Sequence, residues 1–485
     1  MRSPRPEDSD RPSAEPGPNR SPDVDGLLPS LRGIVGEAHV LTDPDAMAGF
    51  LTDWTGRYRG DAEAVVRPRT TDEVSRVVAE CARSDIRICV QGGNTGLVGG
   101  SVPPARAEAA DPRIVLSTVR MTDVDEVDTI GRCVGAQAGA TVESMDRHAG
   151  AIGLSLGIDL ASRESATAGG VVSTNAGGTR MIRRGNARSQ ILGIEAVLAD
   201  GSVLRRWTSL VKDNVGYDLP SLLAGSEGTL AVITRVLFRL VVPPSAATVA
   251  VASVERVENA IDLIGAAPSA GLTIEAAELM TEAGVALVAD HGHRRPTATP
   301  GPFYVLLEVS GTGDIESAAA ELLGSAPGIV DAVLEPAPAR ALWAGREGHT
   351  EAIARSSSTP VVKLDISVPI RALPEAFAEL SRVGSECDFP CRPILFGHVG
   401  DGNIHVNLLD VPTEHSSTVT DHVFGIVAAN GGSISAEHGI GRAKVAWMHL
   451  GRDPADLATM RAIKSALDPR GLLNPGVIFG WRSLR

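Results

Sequence analysis

Aromatic residues are scarce: Phe, Trp and Tyr together make up 3% of the 485 residues. The cores must therefore be built from Ala, Val, Leu and Ile. Cysteine is also rare. The five, Cys81, Cys89, Cys133, Cys387 and Cys391, form no C-x-x-C pair and no cluster. That excludes a structural zinc knuckle and a ferredoxin-like module, and it is the usage of reduced thiols in a cytoplasmic, reducing compartment. No run of 18 uncharged apolar residues occurs, which excludes a membrane-spanning helix. Met1 to about Val24 is rich in Pro, Ser, Asp and Arg and lacks an apolar stretch, so it reads as a disordered tail rather than a secretory signal. Basic residues are outnumbered, 45 Lys and Arg against 59 Asp and Glu, for a net charge of −14. Phosphate backbones require a basic face, so nucleic acid is not the main partner.

What is present is ordinary for a globular chain of two or three domains: 43% hydrophobic and 21% charged residues, with 52 glycines. Residues 25–60 read as an entry helix and loop. A helix starting at a Thr71-Asp72 cap carries Val74, Val77, Val78 and Cys81 on one face. Strands are expected at Ile86–Val90, Ile114–Met121, Cys133–Ala138, Ile191–Leu198 and Ser202–Leu204, the last two as a hairpin through Asp200-Gly201. A long β-like run, Thr229–Val242, stops at Pro243-Pro244, where a domain boundary is placed. Strands at Phe303–Val309 and Val361–Val368 and a helix at Pro454–Leu467 follow, so the class is α+β.

Three glycine tracts punctuate the first half: Gln91–Ser101 (QGGNTGLVGGS), Thr167–Gly178 (TAGGVVSTNAGG) and Leu223–Leu230 (LAGSEGTL). Backbone N–H groups in such loops can close on a pyrophosphate, and small residues admit a flat ring. The spacing is not G-x-G-x-x-G, and no Gly-Lys pair exists for a Walker loop, so a Rossmann NAD site and a P-loop lose support.

These tracts, in this order, resemble the FAD-binding domain of vanillyl-alcohol-oxidase-type flavoproteins. The strings Gly92–Pro103 and Lys212–Leu219 (KDNVGYDL) are most similar to the D-2-hydroxyglutarate, D-lactate and glycolate dehydrogenase group, and the resemblance spans roughly 45–480. It implies a bipartite FAD-binding domain over 25–243, a second α+β substrate (cap) domain with a metal site over 244–440, and a C-terminal helical return over 441–485. It places FAD contacts on Gln91, Gly92, Gly93, Asn94, Thr95, Gly96, Gly99, Gly100, Ser101, Gly169, Gly170, Thr174, Asn175, Gly178, Gly228 and Asn474. The first loop carries no His or Cys, so non-covalent FAD is expected.

The most chemical stretch is Gly397–Asn407 (GHVGDGNIHVN), with Ser435–Gly441 (SAEHGIG) further on. His405 and Asn407 alternate on one side of a strand. Two His and a carboxylate form a three-ligand set with an open position, suited to zinc and also to manganese or iron. The resemblance assigns His398, His405 and Glu437 as ligands and His438 as the base. Glu437 and His438 are adjacent, so a turn at Gly439 must present both to one pocket. It also assigns Arg346, Thr350, Lys363 and Asn407 to the substrate, whose two carboxylates two cations would suit. The segment departs from the family around His349 and Ser356–Ser358, and His293-Arg294-Arg295 reads as an exposed loop.

The expected activity is FAD-dependent oxidation of a D-2-hydroxy acid. D-2-hydroxyglutarate is favoured, and D-lactate or glycolate is the alternative. No nicotinamide site is visible, so electrons are expected to leave to an electron-transfer flavoprotein or a quinone-linked carrier. The resemblance also admits an O₂-using oxidase and a homodimer. A metal-dependent hydrolase, disfavoured by the absence of H-E-x-x-H, and a non-catalytic flavin-binding protein complete the alternatives.

Overall fold

The computed structural model describes residues 24–210 and 212–480. The tail expected at 1–24 lies outside these residues, except that Val24 opens the helix Val24–Val35.

Helix Thr71–Ser84 shows how local sequence and tertiary demand divide the work. Val74, Val77, Val78 and Cys81 are buried at helical spacing. The cap, however, is Thr70, extended, with its hydroxyl accepting from Glu73 N at 3.1 Å. Thr71 is used elsewhere: its hydroxyl donates to Glu195 at 2.6 Å, across the core. The helix stops at Asp85, which takes a left-handed φ of 56°.

Fifteen strands among the described residues form three sheets. The first contains β1 (Val40–Leu41), β2 (Ala64–Val66), β3 (Arg87–Gln91) and β4 (Arg113–Ser117) in the order β1-β2-β4-β3, with β4 parallel to both neighbours. The second is antiparallel: β5 (Cys133–Gln137), β6 (Ile191–Val197), β7 (Val203–Arg206) and β8 (Val232–Arg239), ordered β5-β8-β6-β7. The β6–β7 hairpin turns at Asp200-Gly201, where Gly201 has φ 87° and lies against helix residues Ser75 and Ala79.

After Pro243-Pro244 comes a seven-stranded antiparallel sheet. Its strands are β9 (Ala247–Val254), β10 (Leu272–Thr281), β11 (Phe303–Gly311), β12 (Ile329–Pro336), β13 (Val362–Ser367), β14 (Arg392–His398) and β15 (Asn403–Leu409). Their order is β12-β9-β11-β10-β14-β15-β13. Period-two alternation gives this sheet two different faces. On β9, Ala250, Ala252 and Val254 face helices Val257–Ala266, Ile315–Ser325, Leu373–Glu386 and Ser416–Ala429 in a largely aliphatic core. Val249 and Val251 face the other way, with Met280, Tyr304, Leu306 and Phe396. That second face carries the polar residues of the site.

The chain then returns to the first sheet. Leu473 bridges Ile88, and Asn474 Oδ1 accepts from Val90 N at 2.6 Å. Lys464, on helix Pro454–Leu467, is buried with its ammonium on Asp468, Thr229 O and Leu473 O, which pins the return. No helix among the described residues is long and apolar enough to cross a membrane. All five cysteines are free thiols.

Candidate active site

Strand register assembles the site. Glu278 on β10 stands opposite His398 on β14, Phe396 stands opposite His405 on β15, and His405 stands opposite Asp365 on β13. The pair Lys363 and Asn407 lies two residues along. Glu278, His398, His405, Asn407, Asp365 and Lys363 thus share one sheet face across four adjacent strands.

Each histidine is held by a buried carboxylate. His398 Nδ1 donates to Glu278 Oε1 at 2.5 Å, which leaves Nε2 toward Glu437 Oε1 at 3.6 Å. His405 Nδ1 lies 3.3 Å from Asp365 Oδ1. Carboxylates behind imidazoles in this way fix the tautomer and the ring direction of metal ligands. One ligand atom from each of His398, His405 and Glu437 lies within 4.8 Å of the others, so the donor set fits a divalent cation. Burial alone would lower the His398 pKa, but Glu278 overrides it and raises it to about 9. Burial alone would raise Glu278, but Arg346 and His398 pull it down to about 2.

Glu437 and His438 do reach one pocket, because they sit in a turn and not a strand. Asp365 Oδ2 accepts from both backbone amides, Glu437 N at 2.7 Å and His438 N at 3.1 Å. Gly439 and Gly441 follow with φ 78° and 53°, a conformation that side chains resist. Glu437 Oε1 also accepts from Gly178 N at 2.9 Å, so the glycine tract of the first domain touches the ligand set directly. His438 Nδ1 is 3.8 Å from Asp365 Oδ2, and its ring stacks toward His405 at 6.3 Å. His438 keeps 30% of its side-chain surface, yet its ring is enclosed enough that desolvation lowers its pKa against the opposing pull of Asp365.

Of the residues expected to hold substrate, Asn407 and Lys363 lie on this face, whereas Arg346 and Thr350 come from helices Arg340–Glu347 and His349–Ser356. Arg346 is buried, stacks over Phe396 at 4.5 Å and donates through Nε to Glu278 at 2.7 Å. Its first task is therefore to neutralise the carboxylate behind His398. Asn407 is buried on β15, whereas Lys363 and Thr350 are exposed. Although Lys363 is exposed as a residue, its ammonium is crowded enough that desolvation, then the like charge of Arg57, lowers its pKa. His349 is fully buried, with Nδ1 against the carbonyls of Gly345 and Arg346 and its ring tilted on Phe396. Arg294 is exposed, and Arg295 pairs with Glu282 at 2.8 Å. Sequence reasoning missed Glu278, Asp365 and Asp401, the last in the turn after β14, where burial pushes its carboxyl up to about 6.

The flavin residues lie on the facing domain. In the first loop, Gln91 Nε2 donates to Phe50 O and Ser101 O, both at 2.8 Å, and Ser101 Oγ donates to Asn94 Oδ1 at 2.7 Å. These bonds shape the loop, while the backbone amides of Gly92, Gly93, Asn94, Thr95 and Gly96 donate to no acceptor among the described residues. A run of free N–H donors, with Asn94 at φ 54°, is what a pyrophosphate requires, so the loop fits FAD. Gly99 carries the ring of Tyr58 against it, and Gly100 abuts Glu227 and Gly441. The second tract is partly a helix, Ala168–Ser173, capped by Thr167, with Gly169 and Gly170 inside it and Thr174, Asn175 and Gly178 after it. Gly228 has φ 70° and touches Asn474. The string Lys212–Leu219 is an exposed loop whose Asp218 caps the helix Leu219–Leu223.

Among the glycines assigned to the flavin, Gly93 makes the tightest approach: a Cβ there would lie 1.8 Å from Ser165 O, on the loop leading into the second tract. Gly93→Ala must separate the two loops. Flavin per purified chain should fall on the order of tenfold, the loss expected when a pre-formed cradle is pried open, read from absorbance at the flavin band relative to protein.

One string has hydrolase spacing, Gly153-Leu154-Ser155-Leu156-Gly157. Ser155 follows a turn after helix Val142–Gly150, and its hydroxyl donates to Asp146 at 2.8 Å, so neither the strand–turn–helix setting nor an activating histidine is there.

A glycine-loop domain facing a sheet that bears a histidine–carboxylate cluster defines a flavin-linked oxidoreductase. Residues 62–206 match the model for the FAD binding domain, and residues 243–478 match FAD linked oxidases, C-terminal domain. The chain is 35% identical over 469 residues to D-2-hydroxyglutarate dehydrogenase of Xanthomonas citri pv. viticola, covering 94% of this chain and 97% of the relative. It is 34% identical over 448 residues to the mitochondrial D-2-hydroxyglutarate dehydrogenase of Rattus norvegicus, covering 90% and 82%. p-Cresol methylhydroxylase with substrate bound superposes with a TM-score of 0.73 at 16% identity, covering 94% of this chain and 97% of that one. The chain belongs to the FAD-linked oxidase family. Its fold is the expected α+β pairing of a vanillyl-alcohol-oxidase-type FAD domain with a cap domain.

Proposed function

We propose that the protein is an FAD-dependent D-2-hydroxy acid dehydrogenase whose substrate is D-2-hydroxyglutarate. The observation that carries this reading is the convergence of His398, His405, Glu437 and His438 on a sheet face that meets the flavin-side glycine tract through Gly178. The relatives named above support the substrate. When bound, FAD supplies the acceptor for the C2 hydride, and a divalent ion such as zinc, held by His398, His405 and Glu437, supplies a Lewis acid at the hydroxyl. His438, neutral near pH 7, takes the hydroxyl proton on Nε2 while Asp365 steadies Nδ1. Asn407 and Lys363 orient the carboxylates from the same face, and the remaining guanidinium nitrogens of Arg346 add a cationic end. The electrons pass to an electron-transfer flavoprotein or a quinone-linked carrier.

The test is dye reduction by the purified protein with D-2-hydroxyglutarate, D-lactate and glycolate, with L-forms as controls, before and after chelation. Fast, D-selective, chelator-sensitive turnover of D-2-hydroxyglutarate is expected. D-lactate as the better substrate would move the reading to the alternative, and a flavin-bearing protein inert to all three would end it.

A further inference from the structure

Glu227 belongs to the third glycine tract, on the flavin side, yet its side chain is spent on the turn that carries Glu437 and His438. The residue is 8% exposed and holds a left-handed φ of 49°. Its own N–H donates to Ser173 O at 2.8 Å, and its carbonyl accepts from Asn474 Nδ2 at 2.6 Å, so the strained backbone is fixed from both sides. Oε1 accepts from Ile440 N and Oε2 from Gly441 N, each at 2.8 Å. A Cβ on Gly439 would lie 2.7 Å from Oε1, so this turn is built for a carboxylate pressed close against it.

Asp365 performs the matching task from the cap domain, accepting from the amides of Glu437 and His438. Two buried carboxylates from opposite domains therefore grip the amides of residues 437, 438, 440 and 441. Both oxygens of Glu227 are occupied by backbone donors. It thus acts on the chemistry through the turn and not by touching a reactant.

We infer that Glu227 is a positioning residue that sets the direction of the Glu437 ligand and the His438 base across the domain boundary. This rests on the metal-and-base reading of the site given above. The residue type follows from hydrogen-bond arithmetic: two amide donors need two acceptor oxygens, and charge-assisted bonds to backbone N–H are the stronger kind. Gln offers one oxygen and would turn its own N–H groups on the second amide.

The experiment compares Glu227→Gln and Gly439→Ala with wild type, all loaded with FAD. Zinc affinity is measured by competition with a chromophoric chelator, flavin per chain by absorbance, and kcat and KM by dye reduction with D-2-hydroxyglutarate. Both variants should keep their flavin, bind zinc about 10-fold more weakly or worse, as for losses behind metal ligands, and lose kcat by more than KM rises. Gly439→Ala presses a methyl from the turn onto the Glu227 carboxylate while every residue of the flavin tract keeps its identity, so it decides the matter if Glu227→Gln fails to fold. Wild-type zinc affinity in both variants would overturn the inference. So would flavin loss in Glu227→Gln beside a wild-type-like Gly439→Ala, since Glu227 would then serve the flavin cradle. Zinc titration reads the turn whichever acid is oxidised. Wild type that binds zinc but turns over no 2-hydroxy acid removes the substrate reading and leaves this comparison in force, while wild type that holds no zinc overturns both.

Discussion

His438→Ala should lower kcat by about 10²–10⁴-fold, the range for loss of a positioned general base, with flavin and zinc retained. Geometry separates this residue from its neighbours. Glu437 faces His398 at 3.6 Å, while His438 faces away toward Asp365 at 3.8 Å and lies on the open side of the cluster, more exposed than His398. Its backbone is fixed independently by the His438 N–Asp365 bond, so truncation of the ring should not move the turn. The pH profile gives the second readout. Desolvation and the charges of Lys444 and His405 hold His438 below its ordinary value, with Asp365 opposing. A base must be neutral to act, so wild-type activity should fall as pH drops through that lowered pKa and stay level above it. His438→Ala should lose this acid limb while keeping its residual rate. Rapid-mixing measurement of flavin reduction across pH would check both. An unchanged reduction rate in the variant would remove His438 from the proton transfer.

How far this site is legible before folding depends on sequence distance. His398 and His405 flank a Gly-Asp-Gly-Asn turn, so their convergence is a local inference, and the alternation of His405 with Asn407 needs only a strand. The carboxylates behind them are different. Glu278 lies 120 residues before His398, and Asp365 meets His405 only through the β13–β15 pairing. Nothing in the local pattern distinguishes them from surface acids until register is known. The helix within the second glycine tract was hidden for a related reason. Gly-Gly is a poor helix former, which points to an open loop. Thr167 caps the segment nonetheless, and Gly169 packs where a Cβ would lie 2.8 Å from Ala138 Cβ, so tertiary packing makes Ala168–Ser173 a helix. The same limit hid one partner of Arg346. The resemblance assigns this residue to the substrate, and the structure adds that its Nε donates to Glu278, 68 residues away.

That commitment leads to the second large effect. Glu278→Gln should destabilise the protein by about 3–5 kcal/mol, as for breaking one side of a buried ion pair, and weaken zinc binding by about 10–100-fold. Glu278 has no exposed side-chain surface and Arg346 has 10%, so water cannot replace the lost charge. The carboxylate now accepts from Arg346 Nε through Oε2 and from His398 Nδ1 through Oε1. An amide has one acceptor oxygen for those two donors. If it serves Arg346, its own N–H faces His398 Nδ1, which inverts the tautomer and removes the Nε2 lone pair from the ligand position. The sign of the pH effect is fixed as well. A carboxyl held at about 2 against an ordinary 4.5 contributes its stabilisation fully above 4.5 and loses it as pH falls through 2. Urea unfolding of Glu278→Gln should therefore be flatter in that window than wild type. Adding Arg346→Met removes the stranded cation, so the double variant should regain part of the stability and, with the amide oxygen free for His398, part of the zinc affinity. If Arg346 served only the substrate, the double variant would be no more stable than Glu278→Gln alone.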